Sequence, residues 1–314
     1  MNTKKTISKN EIEEKVKHRF ENFLIDEASV DENQLSFKTR ILEKDNLNRQ
    51  RFFRKKIQYS MLSGFLLEVL ALGTIVVADQ VTSDDLVVFA GASNFKKEAD
   101  YFLNDTLEGV VKKEGEKGQF FKFSGQLKDS NKNVVFSADI TAFFLKNTNQ
   151  ISLDKETGAV IPSAEKHGIY QYKTVSLFKD KDLFICDYLV SSTAHSVHAQ
   201  YTFPESHFCN KGHFPGNPLM MGVLQLTSVE DVLLTWLKQQ DINSNCKVSC
   251  NAELKTKRGT LVAKIKRATL QAFLSNDEIP DQCELIKVQK ITFARPVKPG
   301  EQLNIFLDKI TIQA

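Results

Sequence analysis

The chain has 314 residues, about twice the ~150-residue mode of a single domain, so it holds two modest cores or one large one and is no disulfide-stapled miniprotein. Its 42 Lys+Arg against 39 Asp+Glu leave a formal charge of +3, which gives no global signature of nucleic-acid binding, and 41% hydrophobic residues exclude a disordered chain. Among the aromatics, 23 Phe stand against 6 Tyr and 1 Trp, bulky side chains with few polar handles that belong mostly in a β-rich core. Five cysteines (Cys186, Cys209, Cys246, Cys250, Cys283) and an N-terminus without an apolar core point to reduced thiols and a cytoplasmic location.

Ser8 and Glu11 fit a capping box, and Ile12, Val16, Phe20, Phe23 and Leu24 recur at helical spacing, predicting an amphipathic helix over about 9–24. Leu35 to Leu42 alternates like a strand. Met61 to Ala78 is apolar over 18 residues with one ionisable group, Glu68. A carboxylate at the middle is costly in hydrocarbon, so the segment reads as a buried core helix carrying a functional acid and not as a membrane span. Strands follow over Asp84–Ala92, Phe120–Leu127 and Val134–Leu145, the last two separated by a polar turn at Asp129–Asn133.

Residues 151–168 are polar, contain Gly158 and Pro162, and read as a linker between an N-terminal domain (1–150) and a C-terminal domain (169–314). Beyond it the order repeats: strands to about 203, an apolar helix over Leu219–Leu237, then strands near 246–273 and 284–311. One long helix among antiparallel strands, twice over, is an α+β duplication of architecture without visible residue identity.

The segment Glu205–Leu224, ESHFCNKGHFPGNPLMMGVL, carries the chemistry. Gly212, Gly216 and Pro218 force a tight loop, and Gly222 opens the helix, so His213 sits beside free backbone N–H groups able to stabilise developing negative charge. This string resembles the signature loop of the bacterial 3-hydroxyacyl-acyl-carrier-protein dehydratases, a hotdog-fold family. HRFENFLIDEA (His18 to Ala28), FAGASNFKKEA (Phe89 to Ala99), KFSGQL (Lys122 to Leu127) and VQKITFARPVKPGEQLNI (Val288 to Ile305) resemble other family segments more weakly.

The resemblance implies a loop histidine and a helix carboxylate fourteen residues later, one from each subunit of a dimer. Here the fourteenth residue after His213 is Thr227, with Glu230 almost a turn further on. The first-half helix keeps Glu68, but its loop, Arg51 to Ser60, has no histidine. The expectation is a double hotdog: two halves paired as a pseudo-dimer, with His213 and Glu68 meeting at one composite site and the opposite site dead.

The implied reaction is removal of water from a 3-hydroxyacyl thioester, in fatty-acid- or polyketide-like synthesis, with His213 as base. Glu68, its pKa raised by burial, acts as the acid. Gly222 stabilises the enolate, and Phe208, Phe214 and Gly216 shape the substrate site. No metal or organic cofactor is expected; His207, Cys209 and His213 lie close in sequence but lack a fourth ligand. His18 reads as structural. Expected partners are an acyl carrier protein or a coenzyme A thioester, docked on basic clusters at Arg51, Arg54, Lys55 and Lys56 and at Lys255, Lys257, Arg258, Lys264, Lys266 and Arg267, and further copies of the chain. Neither a nucleic acid nor a membrane span is expected. The alternatives are a hotdog thioesterase in which Glu68 activates water, and a non-catalytic acyl-carrier-binding subunit.

Meeting Met221 where a proline is common and Ser63 where a glycine is expected, the sequence departs from the family pattern. The hairpin Lys247–Phe273 also precedes the ARPVKPG segment, which leaves either an unusual strand order or an incomplete second half.

Overall fold

A computed structural model of the chain describes residues 5–31, 34–41, 47–54, 60–78, 86–145, 161, 179–274 and 281–313. Nearly all of the expected linker, the start of the second half before residue 179, and Lys55 and Lys56 lie outside them.

The first half runs β1 (Lys5–Ile7), α1 (Lys9–Lys15), β2 (Glu27–Asp31), β3 (Gln34–Thr39), α2 (Leu47–Gln50), α3 (Ser63–Val77), β4 (Leu86–Lys97), β5 (Leu107–Lys117), β6 (Phe120–Lys128) and β7 (Val134–Leu145). The second runs β8 (Tyr188–Ser192), β9 (Val197–Thr202), α4 (Gly222–Gln239), β10 (Cys246–Thr256), β11 (Leu261–Phe273), β12 (Gln282–Phe293) and β13 (Gln302–Gln313). All strands belong to one antiparallel sheet in the order β1-β2-β3-β5-β6-β7-β4-β12-β11-β10-β13-β9-β8.

Helix α3 packs on strands β3 to β7 of its own half, and α4 packs chiefly on β12 and β13. All fifteen residues of α3 are buried, which is why it is apolar on every side and carries no amphipathic stripe. No helix among the described residues is long and apolar enough to cross a membrane. Phenylalanine fills much of the core: Phe52, Phe53, Phe65, Phe95, Phe123, Phe136 and Phe203 are fully buried, each contributing about 1.5–3 kcal/mol of transfer free energy. The five cysteines are free and buried.

The capping box at Ser8 and Glu11 is present, but α1 stops at Lys15 and Val16 is extended. Phe20, which helical spacing places on the buried face, is instead 64% exposed with φ of 54°. The remainder of the expected 9–24 helix runs irregularly toward the second half: the Arg19 N–H donates to the Gly212 carbonyl at 2.8 Å and the Asn22 amide to the Cys209 carbonyl at 3.1 Å. A Cβ on Gly212 would lie 2.3 Å from the Arg19 carbonyl oxygen, so only glycine permits this approach.

The described strands of the second half are differently threaded. From its outer side to the junction, the first half reads β3, β5, β6, β7, β4, while the second reads β9, β13, β10, β11, β12. The strand before the helix lies outermost of the five in both. The later strands follow the same cyclic succession, entered at a different point: the first strand after the helix reaches the junction in one half and the third in the other. This accounts for the early hairpin, since Lys247–Phe273 lies between β12 and β13 and ITFARPVKPG leads out of the junction strand.

The halves join through the β4–β12 ladder, with Gly91 opposite Thr292, Ala92 opposite Ile291 and Ser93 opposite Lys290. A Cβ on Gly91 would stand 2.3 Å from the Ile291 carbonyl oxygen, too close for any side chain. Gly91→Ala is therefore expected to cost at least about 1–3 kcal/mol, as overpacking does, read as a lowered denaturant midpoint. An unchanged midpoint would show that the junction has slack that the backbone contact denies.

Candidate active site

Glu68 is the sixth residue of α3, Thr227 the sixth of α4; His213 lies nine residues before the start of α4, and Arg54 nine before the start of α3. The two loop–helix units therefore correspond, and each position holds a different residue in the two halves. The helices touch near their first turns, where a Cβ on Gly64 would meet the Thr227 methyl at 2.8 Å. This close crossing brings the loop of one half toward the helix of the other.

His213, Glu68 and His18 converge there, all buried. The His213 and His18 rings are edge to face, 4.9 Å between centroids, and His18 Nε2 lies 3.3 Å from Glu68 Oε1. That contact lacks the alignment of a hydrogen bond, and neither nitrogen of His18 has another partner. His213 Nδ1 is 2.7 Å from the Leu219 carbonyl, so it is the protonated nitrogen and Nε2 presents a lone pair. Phe214, at φ of 55°, turns its ring against both histidines, with centroids 4.6 Å from His213 and 5.6 Å from His18.

Burial lowers the pKa of His213 to about 4, helped by repulsion from His18 and opposed by Glu68 and by the Leu219 carbonyl. For Glu68 the expected rise does not occur. Burial pushes its carboxyl up, but contact with His18, together with attraction to both imidazoles, pulls it below the ordinary value. Glu68 is therefore held as a carboxylate beside an imidazole.

A cavity of about 350 Å³ opens onto these three side chains. Ala71, Leu72, Thr74 and Ile75 of α3 line it, with Val87 to Ala90 of β4, Phe120, Phe143, and Phe293 to Pro296 from the other half. Gly222 and Gln225 bring the first turn of α4 to it. The Gln225 amide oxygen is buried without a partner.

Phe214 and Gly222 thus line the cavity and Phe208 and Gly216 do not. The Phe208 ring lies under the Arg51 guanidinium, 3.7 Å from its carbon, and stacks on His207; Gly216 forms an exposed turn with φ of 84°. His207 has both nitrogens occupied, by the Cys209 N–H and the Asp182 carbonyl, and does not join His213 in a ligand cluster. Gln225 is a residue that sequence reasoning missed, and His18 is one that it read as structural. Gln225 had a signal, being one turn along the helix from Gly222. His18 had none in spacing, because it approaches from nearly two hundred residues away in the chain.

The corresponding place across the junction is filled with ion pairs. Arg54, at the position of His213, is buried against Glu284, and Lys97 reaches the same carboxylate at 2.6 Å. Glu230 accepts hydrogen bonds from Ser63 Oγ at 3.0 Å and the Leu285 N–H at 2.8 Å. Buried Lys179 pairs with buried Asp231. Arg51 is bidentate to Asp180 and also meets Asp182. The first expected docking cluster is thereby corrected at Arg51 and Arg54, whose charges are spent inside the protein; Lys255 and Lys264 of the second pair with Glu253.

Residues 190–254 match a family model, ApeI-like, described as ApeI dehydratase. The matched stretch includes the His213 loop and α4. Similar solved structures include the dehydratase heterocomplex ApeI:P from Xenorhabdus doucetiae (12% identity, 42% of this chain and 89% of that one, TM-score 0.37). Others are smu.793 from Streptococcus mutans bound to acetyl CoA (12%, 47% and 92%, 0.30) and the PaaI protein of E. coli (11%, 36% and 78%, 0.29). No curated protein matches the chain.

Burial raises the pKa of Glu230 to about 7, against the pull of Lys179 and the Leu285 N–H. A raised carboxyl stabilises the fold fully below its unfolded value near 4.5, and that stability drains away as pH rises to about 7, by about 3 kcal/mol in all. Glu230→Gln keeps an oxygen for both donors and cannot ionise. It should be more stable than the parent above pH 7, by up to that amount, with the gap closing toward pH 4.5. Urea denaturation at pH 5 and pH 8 measures this, and a pH-independent gap would show that Glu230 does not titrate in this window.

Proposed function

We propose that the chain is a fused double hotdog with one working site, a dehydratase that converts 3-hydroxyacyl thioesters to 2-enoyl thioesters. The observation that carries this reading is the meeting of His213 and Glu68, from opposite halves, at a mostly apolar cavity. The domain division at 151–168 belongs to the same proposal.

In the proposed reaction the acyl chain lies along α3 between Ala71 and Ile75, against the phenylalanine walls. His213 Nε2 takes the α-proton, since burial keeps this ring neutral and its lone pair available. Charge moves onto the thioester oxygen, which the Gly222 N–H and the positive end of α4 stabilise. A proton delivered from the His18–Glu68 pair goes to the departing β-hydroxyl, so water leaves and the C–C double bond closes. The proton on His213 then returns to the His18–Glu68 pair across the 4.9 Å between the rings, restoring the site. The thioester is carried by an acyl carrier protein or by coenzyme A.

His213→Ala and Glu68→Gln should each lower turnover of 3-hydroxyacyl thioesters by about 10²–10⁴-fold, while Thr227→Ala should leave it unchanged. Full activity in either of the first two would sink the composite site. Release of free acid in place of enoyl product would make the protein a thioesterase.

His18→Asn gives a separate signature. Removing the ring charge that depresses His213 should move the acidic limb of the kcat/KM profile to higher pH. A merely structural His18 would lower activity and leave the limb where it was.

A further inference from the structure

The same three side chains place one ligand atom each within 4.8 Å of one another. Two imidazole nitrogens and a carboxylate oxygen, open on one side to a cavity, are a donor set of zinc with its fourth position left to water. Two observations beyond proximity point to a cation. Both nitrogens of buried His18 lack hydrogen-bond partners, and orphaned buried nitrogens call for something to bind. His213 is also held as a metal-bound imidazole is held: Nδ1 is engaged by a backbone carbonyl, which fixes the ring and leaves Nε2 as its free donor atom. With zinc–ligand bonds of about 2.0–2.1 Å in tetrahedral geometry, donor atoms stand about 3.3–3.4 Å apart, so a pair as wide as 4.8 Å must draw in by about 1.5 Å on binding.

We propose that His18, Glu68 and His213 form a divalent-cation site of zinc type, and that the bound ion blocks the dehydration. The blocking half rests on the function proposed above, because zinc on Nε2 of His213 occupies the lone pair needed for the α-proton. It also ties up Glu68 and His18. The ion is thus a reversible inhibitor of the site.

The test is Zn²⁺ titrated into the metal-free full chain by calorimetry, with Co²⁺ and its visible spectrum as a probe of coordination. Expected are one site of micromolar or tighter affinity, a four-coordinate Co²⁺ spectrum, and affinity at least ~10-fold weaker in His18→Asn and in Glu68→Gln, with folding checked by circular dichroism. Thr227→Ala should bind like the parent. Turnover should fall with the same half-saturation as binding.

No binding in the parent, or binding that neither substitution weakens, overturns the site. Zinc bound with turnover unchanged or raised overturns its inhibitory role. If no 3-hydroxyacyl thioester is turned over at all, the dehydratase reading fails and the blocking role fails with it, while the site is judged by calorimetry alone.

Discussion

A carboxylate in the middle of an otherwise apolar, wholly buried helix costs several kcal/mol unless charged or hydrogen-bonding groups come to it. Helix α3 holds no other ionisable group, and its own half wraps it in apolar strands. The groups that face Glu68 must therefore arrive from elsewhere: His18 on the segment after α1, and His213 on the loop before α4. Each requires a close backbone approach. The His18 segment is held against Gly212, and the His213 loop reaches α3 because the two helices cross at Gly64 and Thr227.

The same constraint is met in opposite ways at the two related places. Around Glu68 the neighbours are imidazoles, a mostly apolar cavity is left open, and both nitrogens of His18 lack hydrogen-bond partners. Across the junction, Arg54, Lys97 and Lys179 pair with Glu284 and Asp231, and Glu230 is bonded to Ser63 and Leu285. One place faces a cavity, and the other sets cations against carboxylates to fill the space.

Patterning announced much of the architecture because the strongest elements are local. The apolar run around Glu68 needed only its own composition to read as a core helix, and α3 spans Ser63–Val77 within it. The hairpin turning at Gly259 was equally plain, since β10 and β11 alternate on either side of it. What failed was long-range. Phe20, Phe23 and Leu24 repeat at helical spacing, yet the backbone there follows Gly212, two hundred residues away in the chain, and the helix ends at Lys15. His18 was invisible as a site residue for the same reason. The sign of the Glu68 shift was misjudged with it, because burial alone raises a carboxyl and only the unseen imidazole reverses the balance.

The strand order shows that position in the sheet, and not order along the chain, builds the cavity. The junction is made by the first strand after the helix in one half and the third in the other, yet β4 and β12 deliver equivalent walls. Phe89 and Phe293 stand 5.1 Å apart across the junction, and both crowd Gly222, whose absent Cβ would fall 3.2 Å from the Phe293 ring and 3.4 Å from Phe89. A side chain at residue 222 would have to push these rings back by a few tenths of an ångström. An antiparallel ladder accepts either strand, since its hydrogen bonds are blind to which connection led there. A rethreaded second half therefore still offers a helix N-terminus and an aromatic lip to the residues contributed by the first.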